Sequence, residues 1–183
     1  SHGPKFTNIS YWDQDFKSSD RDNTLSYHVN FLNRAFASIW TTDSYVRLLS
    51  PFDPSNSGLT PLAAGTEHKW KSYGFDYTSE PQRTFTYTLA GRFGGYFNEG
   101  NRTQLKADLG YRFQPFVAVT LSGNYNSIRL SQYDEFVRYW LVGPRIDVTF
   151  KNNLFLTTFV QYNEQANNLN INGRFQWRFK PAS

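Results

Sequence analysis

Apolar and polar residues alternate strictly along several stretches of this chain, and this pattern constrains the fold more than any other feature. From Thr84 to Phe97 every second residue is aromatic, leucine or glycine, and a similar alternation runs from Thr103 to Phe113. A period of two places successive side chains on opposite faces of a β-strand. These runs exceed the usual strand length of about five or six residues, and they are long enough to cross a bilayer at a tilt.

The same alternation continues toward the C-terminus, at 117–126, 142–150, 154–162 and 169–179, with turn signals at 98–102, 114–115, 151–153 and 164–168.

Pro144 predicts a bulge or a strand end, because proline removes one ladder donor. Between Leu25 and Trp40 the apolar residues change face, which predicts a bulge or a register change. Residues 51–65 read as a long loop, and residues 1–23 give the weakest signal. We count about eight or nine strands.

Composition supports a sheet that faces two different environments. Aromatic residues make up 19% of the chain although the mean hydropathy is −0.61, and both values hold together if apolar and polar side chains alternate. No run approaches the roughly 18 apolar residues of a membrane-spanning helix, so only a closed barrel could span a bilayer. We therefore predict an all-β, antiparallel, transmembrane up-and-down β-barrel over residues 1–183, either complete or part of a larger barrel.

The two predicted faces suggest different roles. The polar face would line the lumen with charged residues, namely Arg92, Lys106, Asp108, Arg112, Arg145, Asp147, Arg174 and Arg178. The apolar face would carry an aromatic girdle at the membrane interfaces, namely Tyr73, Tyr77, Phe97, Tyr111, Phe113, Tyr162, Trp177 and Phe179. The charged set is interpreted either as an ion-pair network that satisfies lumenal charge or as a basic lining that selects solutes.

Other kinds of site find little support. The chain has no cysteine, which excludes disulfides and thiolate chemistry, and its basic residues are too scattered for a nucleic-acid surface. Asp13, Asp15, Asp20 and Asp22 lack the glycine and terminal glutamate of a calcium loop. We predict neither a metal nor a cofactor.

Catalysis and glycan binding would each depend on particular side chains. His28 and His68 lack a recognisable triad in the sequence, so we do not expect catalysis. Exposed tryptophans can stack on sugars, and the candidates are Trp12, Trp40, Trp70 and Trp140. Each of them fits an interfacial or packing role equally well.

The last hairpin resembles a known family. The segments NLFLTTFVQYN at 153–163 and NNLNINGRFQWRFKP at 167–181, with YVRL at 45–48 and PFDP at 51–54, resemble the C-terminal outer-membrane barrel region of Bacteroidota proteins that carry an N-terminal family-9-like carbohydrate-binding domain. That family has no established activity. The resemblance implies an outer-membrane location, and it implies a glycan-handling neighbour and a chain that is a piece of a larger protein, because here the Lys180-Pro181 segment does not lead into another strand.

These observations predict a bacterial outer-membrane barrel. Its role would be a pore or transporter, or a membrane anchor for a glycan-handling domain. The expected partners are outer-membrane lipid, a glycan or small solute, and a partner domain or larger envelope complex. Two alternatives stay open, a soluble lipocalin-like ligand-binding barrel, whose apolar face would point inward, and a hydrolase or acyltransferase at the barrel rim.

Overall fold

The computed structural model describes residues 1–58, 60–97, 99–131 and 136–179, and in this part of the chain it contains ten strands and no helix. The strands are β1 (His2–Trp12), β2 (Ser18–Asn30), β3 (Phe36–Arg47), β4 (Glu67–Thr78), β5 (Phe85–Tyr96), β6 (Gly100–Phe113), β7 (Val117–Arg129), β8 (Phe136–Lys151), β9 (Leu154–Asn163) and β10 (Asn168–Trp177). The all-β prediction is confirmed, and the count of eight or nine strands was too low. Asn98, in a predicted turn, and Lys180 to Ser183, at the predicted end of the resemblance, lie outside the described residues.

The ten strands form one antiparallel sheet in which each strand pairs with the strand before it and the strand after it. This order confirms the up-and-down connectivity. Within the described residues β1 and β10 do not pair with each other, so the sheet is not closed. Closure into a transmembrane barrel therefore stays a prediction.

The uncertain N-terminal segment accounts for the extra strands. Residues 2–30 form a regular hairpin of β1 and β2 with a single register shift between Tyr11 and Trp12. The irregularity between Leu25 and Trp40 is a turn, because β2 ends at Asn30 and β3 begins at Phe36. Tyr27 pairs with Ile39 and Val29 with Ala37, so the apolar positions keep their parity across this turn and the predicted bulge or register change is absent. Leu32 lies in the turn, and Phe36 and Trp40 lie on the opposite side of the sheet.

Pro144 lies in the middle of β8 and neither ends the strand nor creates a bulge. It pairs with Leu121 of β7, while the ladder to β9 is interrupted between Val142 and Arg145 and then resumes in the same register. Proline lacks the N–H that this ladder requires. The register shift between β8 and β9 occurs later, between Thr149 and Lys151.

Because neighbouring strands are antiparallel, successive connections lie alternately at the two ends of the strands, and we call these two ends the edges of the sheet. Those that follow odd-numbered strands lie at one edge, which we call the loop edge because it contains the long connection 48–66. Those that follow even-numbered strands, 31–35, 79–84, 114–116 and 152–153, lie at the opposite edge, which we call the turn edge. The long loop predicted at 51–65 is therefore present, although the other connections at the loop edge are short.

Residues that pair directly across an antiparallel ladder point to the same side of the sheet. One row of such pairs joins Leu89, Ala107, Gly123 and Val142, and it belongs to the apolar face. On this face large side chains are exposed, including Phe6, Leu25, Ile39, Phe75, Phe93, Leu109, Leu121, Ile146, Ile171 and Phe175. On the polar face Ser44, Ser72 and Asn126 are buried. The distribution is the reverse of that in a water-soluble sheet, which buries its apolar face.

The main apolar cluster lies on the polar face at the loop edge. It contains Leu48, Leu62, Phe97, Ile128 and Leu130, and Trp70, Tyr96 and Val137 pack against it. Phe97 is only 8% exposed, so its assignment to an outward aromatic girdle was wrong. Phe97 follows β5 and turns inward, where its ring lies 4.7 Å from that of Trp70 and 5.4 Å from that of Phe52.

Candidate functional site

The charged residues predicted to line a lumen share one face of the sheet. Residues 112, 118, 147, 157 and 174 form a single row of direct pairs across β6 to β10, and this row carries Arg112, Asp147 and Arg174. Arg92 pairs with Gln104 and Lys106 pairs with Asn124 on the same side. Asp108 and Arg145 belong to the same face by strand parity, and Arg178 follows β10 directly. The candidate site is therefore this polar face.

One ion pair forms within the predicted set. Arg145 donates two hydrogen bonds to Asp147, of 2.8 and 3.0 Å, and the Thr157 hydroxyl donates a third of 2.7 Å. The remaining ion pairs among the described residues join Arg47 to Asp13, Lys71 to Asp43 and Arg83 to Glu80. The other five cations of the predicted set thus have no carboxylate within 4.0 Å in the described part of the chain. This geometry resembles a basic lining more than an ion-pair network.

The strongest concentration of positive charge involves a residue that the sequence pattern did not single out. Arg102 was assigned to a turn, but β6 begins at Gly100 and places Arg102 on the polar face beside Arg92. Both guanidinium groups lie over the ring of Tyr96, at 5.5 and 5.2 Å from its centre. Arg92 Nη1 and Arg102 Nε are buried and make no hydrogen bond to the described residues. A buried donor without an acceptor costs about 1–3 kcal/mol, so this pair of arginines favours an anion nearby.

An amide network supports this arginine pair. Arg102 Nη2 donates a hydrogen bond of 2.9 Å to Asn126, whose amide donates one of 3.0 Å to Asn124. Gln104 donates to the same Asn124 oxygen over 3.3 Å. Asn126 is 1% exposed, and its position in the interior fixes the direction of the Arg102 side chain. The alternation of the sequence predicted polar residues here but gave no sign of these contacts.

Two cavities lie along the polar face. One of about 150 Å³ is next to the arginine pair and is lined by Trp40, Asp76, Ala90, Gly91, Arg92, Gln104 and Lys106. The other, of about 210 Å³, lies beneath the 79–84 turn and is lined in part by Pro81, Asp108, Arg112 and Thr120. The polar face thus offers charged and amide side chains to small polar solutes from the turn edge to the arginine pair.

The loop edge of this face is covered. Tyr96 donates a hydrogen bond of 3.2 Å to the Pro54 carbonyl, and the Gln165 amide donates bonds of 3.0 and 2.7 Å to the Ser55 and Asn56 carbonyls. The connection 48–66 therefore reaches from the end of β3 to the turn after β9. This connection and the apolar cluster together cover the polar face at the loop edge.

The predicted aromatic residues occupy different parts of the sheet. Tyr73, Tyr111, Phe113, Tyr162, Trp177 and Phe179 are exposed and Tyr77 is partly buried. Trp40 lies on the polar face with its indole N–H bonded to Asp76 over 2.9 Å, Trp70 packs in the apolar cluster, and Trp12 and Trp140 are exposed.

His68 and Asp13 make local structural contacts. His68 is buried against Phe97 and bonds to the Thr66 hydroxyl over 2.9 Å. Asp13 accepts hydrogen bonds from the backbone of Asp15 and Lys17 and pairs with Arg47, so it organises a turn. Within the described residues, no group of three or more histidines and carboxylates is arranged to hold a metal ion.

Among the described residues there is no helix of the length and apolar character needed to traverse a bilayer. Neither a protein family, nor a curated protein, nor a solved structure matches this chain.

Proposed function

We propose that this chain spans a bacterial outer membrane as a β-barrel, with its apolar face toward lipid and its polar face lining a passage that favours small anions. The observation that carries the proposal is the reversed distribution of side chains. Large apolar residues such as Phe75, Leu109 and Ile171 are exposed on one face, while Asn126 and Ser72 are buried on the other. Outer-membrane barrels place apolar residues outward and polar residues inward in this way.

The dimensions of the apolar face fit a bilayer. On β6 it runs from Leu105 to Phe113, which corresponds to about 27 Å along the strand at about 3.4 Å per residue. A transmembrane strand needs about 9–11 residues at a tilt of about 45°. Closure into a barrel would also pair β1 with β10. Unpaired backbone N–H and C=O groups on an outermost strand are not tolerated in hydrocarbon.

The preference for anions follows from the charges of the polar face. Among the described residues, no carboxylate lies within 4.0 Å of Arg92, Arg102 or Arg112, and charged rings of one sign select ions of the other sign in membrane pores. A soluble lipocalin-like barrel would bury its apolar face, and the exposure of that face argues against this alternative. The resemblance of the last hairpin to Bacteroidota envelope barrels agrees with the proposed location.

The test is electrical recording of the protein reconstituted in planar bilayers with a KCl gradient. We expect stable ohmic steps and a reversal potential that indicates a preference for chloride. The double variant Arg92→Gln/Arg102→Gln should lower the chloride-to-potassium permeability ratio, because it removes two positive charges from the polar face. The double variant Lys17→Gln/Lys151→Gln, which removes an exposed cation from the connection after β1 and another from the end of β8, is the control and should keep the ratio.

Two results would contradict the proposal in different ways. A protein that inserts into the bilayer but stays silent would be a filled barrel, with the loop 48–66 as its plug, and it would serve as a membrane anchor. A protein that does not enter lipid at all, and that is monomeric in water without detergent, would instead be a soluble sheet protein.

A further inference from the structure

The strands extend past the apolar face at the loop edge, and this extension is basic. On the outward side it carries exposed Arg21 on β2, Lys69 and Lys71 on β4, Arg129 on β7 and Arg138 on β8. Among the described residues, the carboxylates on the same side are Asp43, 4.0 Å from Lys71, and Glu67. The described part of this outward strip therefore carries five cations and two carboxylates, an excess of three positive charges.

Four of these cations are organised around two aromatic rings. In the first cluster Tyr45 lies between its ladder partners Arg21 and Lys69, whose charged atoms are 5.8 and 5.5 Å from the ring centre. In the second cluster Phe136 lies between Arg129 and Arg138, both 5.1 Å from its ring centre. Cation–π contacts at these distances hold the cations in place.

Both clusters lie just beyond the apolar face. Arg138 is two residues from Trp140, an exposed residue of that face, which is about 7 Å along a strand. Arg21 is four residues from exposed Leu25, which is about 14 Å by the same spacing. If the apolar face contacts acyl chains, the two clusters stand at the level of the lipid headgroups.

We propose that the Arg21–Tyr45–Lys69 and Arg129–Phe136–Arg138 clusters bind the phosphate groups of anionic lipids. This inference rests on the proposed membrane-spanning function. A guanidinium group offers paired donors that match phosphate oxygens, and basic side chains near a membrane surface attract anionic headgroups. A lipid fits better than free phosphate, because its acyl chains also cover the apolar face directly below each cluster.

The test measures which lipids stay bound to the reconstituted protein. The protein is exchanged into micelles that contain equal amounts of phosphatidic acid and phosphatidylcholine, and native mass spectrometry counts the lipid molecules retained. We expect wild type to retain phosphatidic acid preferentially. Arg21→Gln/Lys69→Gln and Arg129→Gln/Arg138→Gln should each weaken this preference, by about fivefold for each cation removed. The matched control Lys5→Gln/Lys151→Gln removes two cations outside both clusters and should keep it.

The outcomes separate the inference from the function on which it rests. Co-flotation with phosphatidylcholine vesicles reports insertion for every variant, and failure of wild type to float would overturn the proposed function. Normal insertion with equal retention of the two lipids would overturn only the lipid inference. The inference would also fail if inorganic phosphate displaced the bound phosphatidic acid, because the clusters would then be sites for free anions.

Discussion

At the residue scale, Gly74 shows how closely side chains pack on the polar face. An added Cβ at this position would clash with the ring of Trp40 and with the carbonyl oxygen of Gly91. The Trp40 ring has little freedom to move away, because its indole N–H is bonded to Asp76, which also accepts a hydrogen bond of 3.2 Å from Ser38. Gly173 on β10 is the opposite case, since nothing lies within 4 Å of its added Cβ.

We expect Gly74→Ala to lower the free energy of unfolding by about 1–3 kcal/mol, the usual cost of an overpacked site. Gly173→Ala is the control and should be neutral or slightly stabilising, because alanine restricts the unfolded chain. Urea titration of the reconstituted protein, followed by tryptophan fluorescence, measures both variants. Equal free energies of unfolding for Gly74→Ala and wild type would show that Trp40 does not hold this position.

At the scale of the element, the loop 48–66 is organised around one carboxylate. Asp53 accepts hydrogen bonds from the Ser55 backbone N–H and hydroxyl, of 2.9 and 2.6 Å, and from the N–H groups of Ser57 and Gly58, both of 3.0 Å. Burial alone would raise the pKa of Asp53, but the hydrogen bonds from Ser55, Gly58 and Ser57 outweigh it and hold the pKa below its ordinary value. The same turn presents the Ser55 carbonyl to Gln165.

A lowered pKa means that the ionised carboxylate stabilises the folded loop. This stabilisation is complete above the ordinary carboxyl pKa of 3.8 and is lost as the pH falls through the lower pKa of the folded state. We therefore expect backbone amide exchange at Ser57 and Gly58 to be slow at pH 6 and, relative to the intrinsic rate, faster below pH 3.8.

Asp53→Asn is the control for this pH dependence. Its amide cannot ionise, so the protection of these amides should be weaker throughout and should not change over the acidic range. If wild type and Asp53→Asn lost protection together on acidification, other carboxylates would be responsible. Asp13 is the first to consider, because the hydrogen bonds that it accepts from the Arg47 guanidinium and from the Lys17 backbone keep its pKa low as well.

At the scale of the whole molecule, the orientation of the sheet depends on which face meets lipid. Leu121 and Ser122 are neighbours on β7 and point to opposite faces. Leu121 pairs with Leu109 and Pro144 on the apolar face, and Ser122 pairs with Asp108 and Gly143 on the polar face. The two positions therefore provide a matched pair at the same depth along one strand.

We expect Leu121→Arg to cost about 2–4 kcal/mol in folding into lipid, as an arginine does near the bilayer midplane. Ser122→Arg should be mild, because its guanidinium faces the polar side where Asp108 lies. Folding yields and urea titrations in phospholipid vesicles measure both variants. The reverse ranking would contradict the assignment of the apolar face to lipid.

Alternation was enough to predict the strands from β4 onward, their two faces and most of their turns, because a period of two is a local property that each strand carries in its own residues. It placed the predicted lining residues on one face, but it did not reveal the Arg92–Arg102 pair or the inward turn of Phe97. It also interpreted the 31–35 turn, with Phe36 and Trp40 on the polar face, as a bulge or a register change. The tertiary structure decided these points, because they depend on register and on the packing of the 48–66 loop against distant strands, and these contacts are set by the whole sheet.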